Sequence, residues 1–233
     1  MSRVESERAY VLHRRAWRDT SLIVELFTER GGRVAGVARG ARSPRSPVFG
    51  LAEPFRALEV AWTRRGEMAT LTGMEPLEHS MRLSGRALWC GLYANELLLV
   101  LTPRDDPEPA LFGAYRALLP ELDQPNRQGR ALRRFELRLL EALGVAPSLS
   151  ACVVTGEAVR AGGRYRVDPV AGPVPVAAGE PGFSGALLLA LADRVAWPPG
   201  EDAAALRLMR QLIEFQLDGR RLRTPSLFRE SNA

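Results

Sequence analysis

The feature that most constrains the fold of this chain is a change in the spacing of its apolar residues near residue 83. Before that point apolar side chains alternate over short runs, as they do in β-strands, where successive side chains point to opposite faces. After it they recur every three or four residues, as they do on one face of an α-helix. The chain is therefore predicted to be α+β, with a β-rich domain over residues 1–80 and a helical domain over residues 81–233.

The β-rich part is predicted to form a small barrel. Residues 22–27 are largely apolar on both faces, which predicts a central strand, and glycines 31 and 32 predict a hairpin to the next strand at 34–38. Further extended runs begin near Tyr10 and cover residues 55–62 and 68–71. Four or five short strands with Gly-rich turns in about 70 residues fit a closed, OB-like β-barrel.

Five helices are predicted in the second part, with an irregular hairpin insert between the third and the fourth. The first helix ends at Thr102 and Pro103, because a proline disfavours helical backbone in the residue before it. The others are predicted at Pro109–Leu119, Gln128–Leu143, Ser184–Val195 and Asp202–Leu217. Residues 151–182 are rich in Gly, Pro and Val and form the predicted insert.

The positive charge of the chain is concentrated in the predicted barrel. All 32 basic side chains are arginine, and residues 30–65 contain eight of them against two glutamates, a balance of +6. Arginine is a planar, permanently charged donor suited to phosphate and to stacking on bases. A solvated barrel face is one interpretation and a nucleic-acid surface is the other. The candidate DNA-binding side chains are Arg14, Arg15, Arg33, Arg39, Arg42, Arg45, Arg64 and Arg65, with Trp17 and Phe49 as stacking rings.

A second basic feature is a stripe of arginines on the predicted helix Gln128–Leu143. Arg130, Arg134 and Arg138 recur at every fourth position, with Arg127 and Arg133 beside them. The opposite side carries the apolar residues Leu132, Phe135, Leu139 and Leu143. Guanidinium groups next to an apolar groove are suited to an acidic peptide that ends in an aromatic residue. An ordinary solvated helix face is the alternative interpretation.

No catalytic constellation is recognisable, and the chain is predicted not to be an enzyme. It has only two histidines, neither of which has a second ligand nearby at metal-binding spacing. It has no phosphate-binding loop ending in Gly-Lys-Ser/Thr and no Gly-x-Ser-x-Gly elbow. It has no apolar run of the roughly 18 residues needed to span a membrane and no signal peptide at its start, which predicts a cytoplasmic protein.

Several segments, in their order and spacing, resemble the RecO family of DNA repair proteins. Those in the predicted barrel are Tyr10–His13, Asp19–Leu22, Phe27–Glu29, Gly32–Val34, Ala38–Ser43 and Leu51–Phe55. Those that follow are Gly91–Leu98, Ala131–Leu137, Leu143–Gly144 and Gly219–Arg229. Together they extend over nearly the full chain.

The resemblance implies a recombination mediator without catalytic activity. Such a protein binds single-stranded and double-stranded DNA and the C-terminal tail of single-strand-binding protein. It anneals complementary strands and, commonly with RecR, helps to load the RecA recombinase, in the cytoplasm at the nucleoid. A generic OB-fold RNA-binding protein and a nuclease remain the alternatives.

The resemblance also bears on metal binding. Some members of the family carry a four-cysteine zinc site in the insert. Here Cys152 stands at the first of these positions, Thr155 follows three residues later, and residues 168–176 contain no cysteine pair. The chain therefore resembles the metal-free members, and we predict neither a metal nor another cofactor.

Overall fold

A computed structural model describes residues 2–77, 81–153, 155–177 and 179–224. The strands are β1 Ser2–Trp17, β2 Ser21–Thr28, β3 Gly32–Ala38, β4 Ala57–Arg64, β5 Ala69–Pro76, β6 Arg164–Asp168, β7 Gly172–Pro175 and β8 Phe183–Ser184. The helices are α1 Gly85–Leu101, α2 Pro109–Leu122, α3 Gln128–Ala142, α4 Gly185–Ala192 and α5 Asp202–Leu217. The chain forms two compact units, Met1–Gln128 with Leu222–Ala233, and Gly129–Arg221.

The first five strands form a closed barrel in the order β1-β2-β3-β5-β4, which confirms the predicted N-terminal barrel. β3 and β5 are parallel and meet at Gly36 and Ala69, whereas the other neighbours in the barrel are antiparallel. The barrel core is lined by small and branched residues, among them Val11, Val24, Leu26, Val34 and Leu58. Such side chains fill the narrow interior that a barrel of this size encloses.

β1 is much longer than the sequence indicated. The strand was predicted near Tyr10 but begins at Ser2, and its N-terminal half pairs with β4, with Val4 opposite Trp62. Most residues of this half are polar and exposed, so they carry no apolar alternation that could have revealed the strand. Its hydrogen bonds to β4 hold it in place.

The predicted burial of both faces of β2 is confirmed. Leu22, Val24 and Leu26 point into the barrel core, and Phe27 points the other way. The Phe27 ring lies 5.5 Å from that of Phe112 on α2, between ring centroids. A strand enclosed by neighbouring strands and covered by a helix is largely apolar on both faces, as its sequence indicated.

Helices α1 and α2 belong to the same compact unit as the barrel. The Asn95 side-chain amide on α1 donates a hydrogen bond to the Leu12 carbonyl of β1 at 2.9 Å. The Tyr115 hydroxyl on α2 donates to the Asn95 side-chain oxygen at 2.6 Å. Complete burial raises the pKa of Tyr115 well above its ordinary value, which keeps this donor protonated. The first compact unit continues to Gln128 and so does not test the predicted domain boundary at residue 80, which stays a prediction.

The second compact unit contains the rest of the helices and the insert. The insert forms the predicted hairpin from β6 and β7, and β8 adds a third strand in the order β7-β6-β8. The ends of three helices differ from prediction. α2, in the first unit, continues past Pro120 to the buried Leu122. α3 ends at Ala142, one residue early, and α4 spans only Gly185–Ala192. None of the helices in the described residues is long and apolar enough to cross a membrane.

Candidate nucleic-acid and peptide interfaces

One end of the barrel carries a groove, here called the barrel groove. It has a volume of about 470 Å³ and is lined by Trp17, Arg18, Asp19, Thr20, Ser21, Val37, Arg39 and Thr70. The Trp17 side chain is 41% exposed, and the Arg18 guanidinium lies over its ring at 5.9 Å from the centroid. Arg39 is exposed as well. An accessible indole with one cation over its ring and another in the same groove is suited to stacking a base while contacting phosphate.

The loop after β3 is fixed beside the barrel groove. The Arg42 backbone N–H donates to the Thr20 carbonyl at 2.9 Å, and the Arg42 guanidinium donates to the Arg18 carbonyl at 3.0 Å. Arg45 and Phe49 follow in the same loop and are exposed. The structure thus places five of the predicted residues on the groove or on the loop attached to it: Trp17, Arg39, Arg42, Arg45 and Phe49.

Arg33, a candidate DNA-binding residue six positions before Arg39, does not continue this surface. Arg33 lies at the other end of β3, where its guanidinium donates to the carbonyls of Leu98 and Leu99 on α1. Burial there lowers its pKa. The even spacing does put both arginines outside the barrel, but α1 covers the start of the strand.

The remaining arginines of the predicted patch differ in how their charges are compensated. Arg64 forms an ion pair of 2.6 Å with Asp105, next to the Arg33 end of β3, where the Asp105 N–H donates to the Arg33 carbonyl. Arg14 pairs with Glu53 at 2.7 Å. Arg15 and Arg65 are exposed. Residues 30–65, which carry the balance of +6, therefore contribute to two different places. Arg39 lies in the barrel groove. Arg33 and Arg64 lie at the other end of β3, where carbonyls and a carboxylate compensate their charges.

Sequence analysis missed Arg18, which the structure places in the barrel groove. Arg18 lies in the tight turn between β1 and β2 with a positive φ of 51°. The adjacent pair Trp17-Arg18 before a turn was the available signal, because a turn between two strands exposes both side chains at the end of the barrel.

Arg133 is not part of an exposed stripe on α3, contrary to expectation. Its guanidinium donates two hydrogen bonds of 2.5 Å to the Glu136 carboxylate, and both residues are buried. Arg127 precedes α3 and is exposed, as is Arg134. The predicted apolar side is confirmed for Leu132, Phe135 and Leu139, which are buried.

A second groove, here called the helix groove, lies between α3 and the end of α4. It has a volume of about 120 Å³, and its buried floor consists of Leu137, Ala190, Leu191 and Trp197. Arg134, Arg138 and Arg194 stand around it together with the exposed Val195. Glu141 pairs with two of these arginines, at 3.0 Å from Arg138 and 3.3 Å from Arg194. An apolar floor within a cationic rim is suited to an acidic peptide with an aromatic end.

Arg194 and Trp197 are residues of the helix groove that sequence analysis missed. Both follow α4, in the segment that leads to α5. The signal was an arginine and a tryptophan directly after a short helix without any charged residue. Spacing along the chain could not show that this segment meets α3.

Arg130 contacts Asp202 and Trp197 at the edge of the helix groove. Its Nε donates to Asp202 Oδ1 at 2.9 Å, and its guanidinium lies 5.0 Å from the centroid of the Trp197 ring. The hydrogen bond from Arg130 lowers the pKa of Asp202. Arg130 therefore contacts the wall of the groove.

The insert is predicted to bind no zinc, and Cys152, its one cysteine, is buried. Cys152 is 2% exposed, and its carbonyl accepts a hydrogen bond of 2.8 Å from the Gly156 N–H. Among the residues that the structure describes, no three His, Cys, Asp or Glu side chains are grouped closely enough to hold a metal ion. The absence of zinc stays a prediction.

Comparisons with known proteins agree over both parts of the chain. Residues 1–79 match the family model of the recombination protein O N terminus, and residues 82–225 match that of its C terminus. The DNA repair protein RecO of Methylococcus capsulatus is 44% identical over 231 residues, which cover 99% of this chain and 96% of that protein. The DNA repair protein RecO of Halorhodospira halophila is 42% identical over 234 residues, 98% of each chain. With two matched family models and relatives of this similarity over nearly its full length, the chain belongs to the RecO family.

Proposed function

We propose that this protein is a non-enzymatic recombination mediator that binds single-stranded DNA at the barrel groove and an acidic protein tail at the helix groove. Membership of the RecO family supports a role in recombinational DNA repair. The observation that carries the DNA-binding proposal is the exposed Trp17 ring with Arg18 over it and Arg39 in the same groove.

The chemistry of the barrel groove favours binding without a sequence preference. Every base presents a π-face that can stack on the Trp17 indole, and arginine forks can hold phosphates on either side. Arg42 and Arg45 extend the cationic surface along the attached loop and would also meet the backbone of a duplex. Asp19 lies in the groove too. Its ionised carboxylate accepts hydrogen bonds and cannot donate them, so it would suit donors such as the amino groups of bases.

The helix groove is proposed to receive the C-terminal tail of single-strand-binding protein. Carboxylates of an acidic tail would meet the guanidiniums of Arg134, Arg138 and Arg194. A terminal aromatic ring would enter the apolar floor formed by Leu137, Leu191 and Trp197. The two ligands would thus bind at separate grooves.

Separate surfaces for DNA and for the tail would allow the protein to act on strands covered by single-strand-binding protein. Contact with the tail would bring it to the strand, and the barrel groove would then hold the DNA during annealing. We propose that it helps, together with RecR, to load the RecA recombinase, in the cytoplasm at the nucleoid and without a cofactor.

A titration with labelled single-stranded oligonucleotide tests the DNA site. Trp17→Ala is expected to weaken binding by about 1–3 kcal/mol for every base sequence, because one stacking platform is lost. Phe215→Ala, which removes another exposed ring, on α5, serves as the control and should bind normally. Equal binding by the Trp17 variant would refute the proposed site. Tighter binding of structured RNA, or metal-dependent cleavage of the oligonucleotide, would favour the alternative functions.

The tail site is tested with a peptide that copies the C-terminus of single-strand-binding protein. Arg134→Glu reverses one exposed rim charge and is expected to lower peptide affinity at least about tenfold, since a hydrogen bond to a charged group contributes roughly 1.5–3 kcal/mol. DNA binding should remain close to that of the unmodified protein. Loss of DNA binding together with retained peptide affinity would show that α3 belongs to the DNA surface.

A further inference from the structure

Trp197 in the helix groove is held by a triangle of polar contacts. The indole N–H donates to Asp202 Oδ1 at 3.0 Å. The same carboxylate accepts hydrogen bonds from Arg130, at 2.9 Å from Nε and 3.4 Å from Nη2. Arg130 in turn lies over the Trp197 ring, at 5.0 Å from its centroid, and completes the triangle.

The triangle fixes the orientation of a ring that could otherwise rotate. A guanidinium over one face of the indole prevents another group from stacking there. The hydrogen bond from the indole nitrogen to Asp202 sets the direction of the ring edge. What remains for the helix groove is the opposite face or the free edge of the indole, beside Leu137 and Leu191.

Arg130 therefore differs from the other arginines near the groove. Its Nε and Nη2 donors are already directed at Asp202, and its guanidinium lies over the Trp197 ring. Arg134, Arg138 and Arg194 line the groove itself. Carboxylates of a bound peptide would meet those three, whereas Arg130 would influence the peptide only through Trp197.

On the basis of the proposed peptide site, we infer that Arg130 and Asp202 are positioning residues that hold Trp197 so that the helix groove selects a peptide with an aromatic last residue. Aromatic rings attract each other in offset or edge-to-face arrangements, which depend on the orientation of both rings. A ring fixed before binding loses less conformational freedom when the ligand arrives. Selectivity for the aromatic ring of the peptide thus depends on the triangle, while attraction for its carboxylates depends on Arg134, Arg138 and Arg194.

The inference is tested with two acidic peptides that are identical except for a last residue of Phe or Ala. The unmodified protein is expected to prefer the Phe peptide by about tenfold or more, as an apolar pocket discriminates a missing apolar group. Asp202→Ala and Arg130→Lys should reduce that preference to about twofold by weakening the Phe peptide alone. Arg130→Lys keeps the positive charge and removes the planar fork, and so tests the triangle even if Asp202→Ala does not fold.

Asp218→Asn at the other end of α5 is the matched control, because it removes the same charge and lies outside the triangle. It should keep the full preference for the Phe peptide. Equal weakening of both peptides in the two triangle variants would overturn the positioning role and leave the peptide site standing. Failure of the unmodified protein to bind either peptide would overturn the peptide site and the positioning role together.

Discussion

The guanidinium of Arg133 and the carboxylate of Glu136 form a two-hydrogen-bond ion pair within one turn of α3, with side chains only 9% and 1% exposed. A buried charge is tolerated when an opposite charge satisfies its hydrogen bonds, and bidentate geometry provides this. Arg134, the next residue along the chain, is exposed. Neighbouring arginines in one sequence stripe thus have different roles, one in the interior and one at the helix groove.

Removing one partner of the buried pair should destabilise the fold. Arg133→Gln removes the two hydrogen bonds of this ion pair from the buried Glu136 carboxylate, and we expect a loss of about 3–5 kcal/mol in the free energy of unfolding. Urea unfolding followed by circular dichroism measures this. The double variant Arg133→Met/Glu136→Leu should be much closer to the unmodified protein. A single variant of normal stability would show that the pair is more hydrated than the structure indicates. Charge reversal at Arg133 is accordingly unsuited to testing peptide binding.

Gly91 on α1 is required by close packing within the barrel-containing unit. A Cβ atom there would lie 2.7 Å from Leu83 and 2.8 Å from the Phe55 ring, closer than van der Waals radii allow. Gly91→Ala is therefore expected to lower the melting temperature, although alanine is the better helix former. Gly113→Ala on α2 is the control, because its Cβ would meet nothing within 4 Å. That change should stabilise the protein by about 0.5–1 kcal/mol. A stabilised Gly91 variant would contradict the packing.

The salt dependence of DNA binding tests the cationic loop beside the barrel groove. Replacing Arg39, Arg42 and Arg45 with Gln should weaken binding to single-stranded DNA of any sequence. The slope of log K against log salt concentration should become shallower by roughly 0.7 for each phosphate that the variant no longer neutralises. An unchanged slope would mean that the loop is a solvated surface.

A control of equal charge removes three exposed arginines from the second compact unit. These are Arg160, Arg207 and Arg210. If the barrel groove binds the DNA, this triple Gln variant should keep both the affinity and the slope of the unmodified protein. A decrease of similar size would show that overall net charge, and not the loop, sets the affinity.

Strands and helices could be predicted from the sequence wherever apolar residues recur at a regular spacing that places them against the core. The apolar faces of β2 and the period of α3 depend on local spacing, so the elements were found to within a few residues. The site residues depend on contacts between distant segments. Arg33 is covered by α1, some 65 residues later, and Arg194 reaches the groove because α4 meets α3. Such contacts leave no periodic signal in the sequence.

The insert is expected to fold without a metal. Cys152 is buried, and the Thr155 hydroxyl accepts a hydrogen bond from the Glu157 N–H. The resemblance to zinc-binding members of the family implies that only the first of their four cysteines is present here, as Cys152. Elemental analysis of the purified protein should give far less than one zinc per chain. A chelator should leave the melting temperature unchanged, because no folding free energy comes from metal binding. Stoichiometric zinc, or unfolding by the chelator, would refute the prediction.

Glu141, which pairs with two arginines of the helix groove, gives a prediction of opposite sign to those for the arginines. Glu141 pairs with both Arg138 and Arg194, and so would compete with the carboxylates of the proposed peptide for them. Glu141→Gln is expected to increase the affinity for the acidic peptide about two- to fivefold, the range of a partly exposed ion pair. Arg194→Gln should lower it. Isothermal titration of both variants measures the two effects.

The opposite signs separate a peptide site from a general loss of structure, because a misfolded groove would weaken binding in both variants. Glu157→Gln controls for the change in net charge: it removes an exposed carboxylate that pairs with Arg160 at 3.8 Å. Long-range attraction would strengthen binding equally in the Glu141 and Glu157 variants and would decline as salt screens it. Competition at the groove would strengthen binding in the Glu141 variant alone. If Glu141→Gln weakens binding or leaves it unchanged, the guanidiniums of Arg138 and Arg194 do not receive the carboxylates of the peptide.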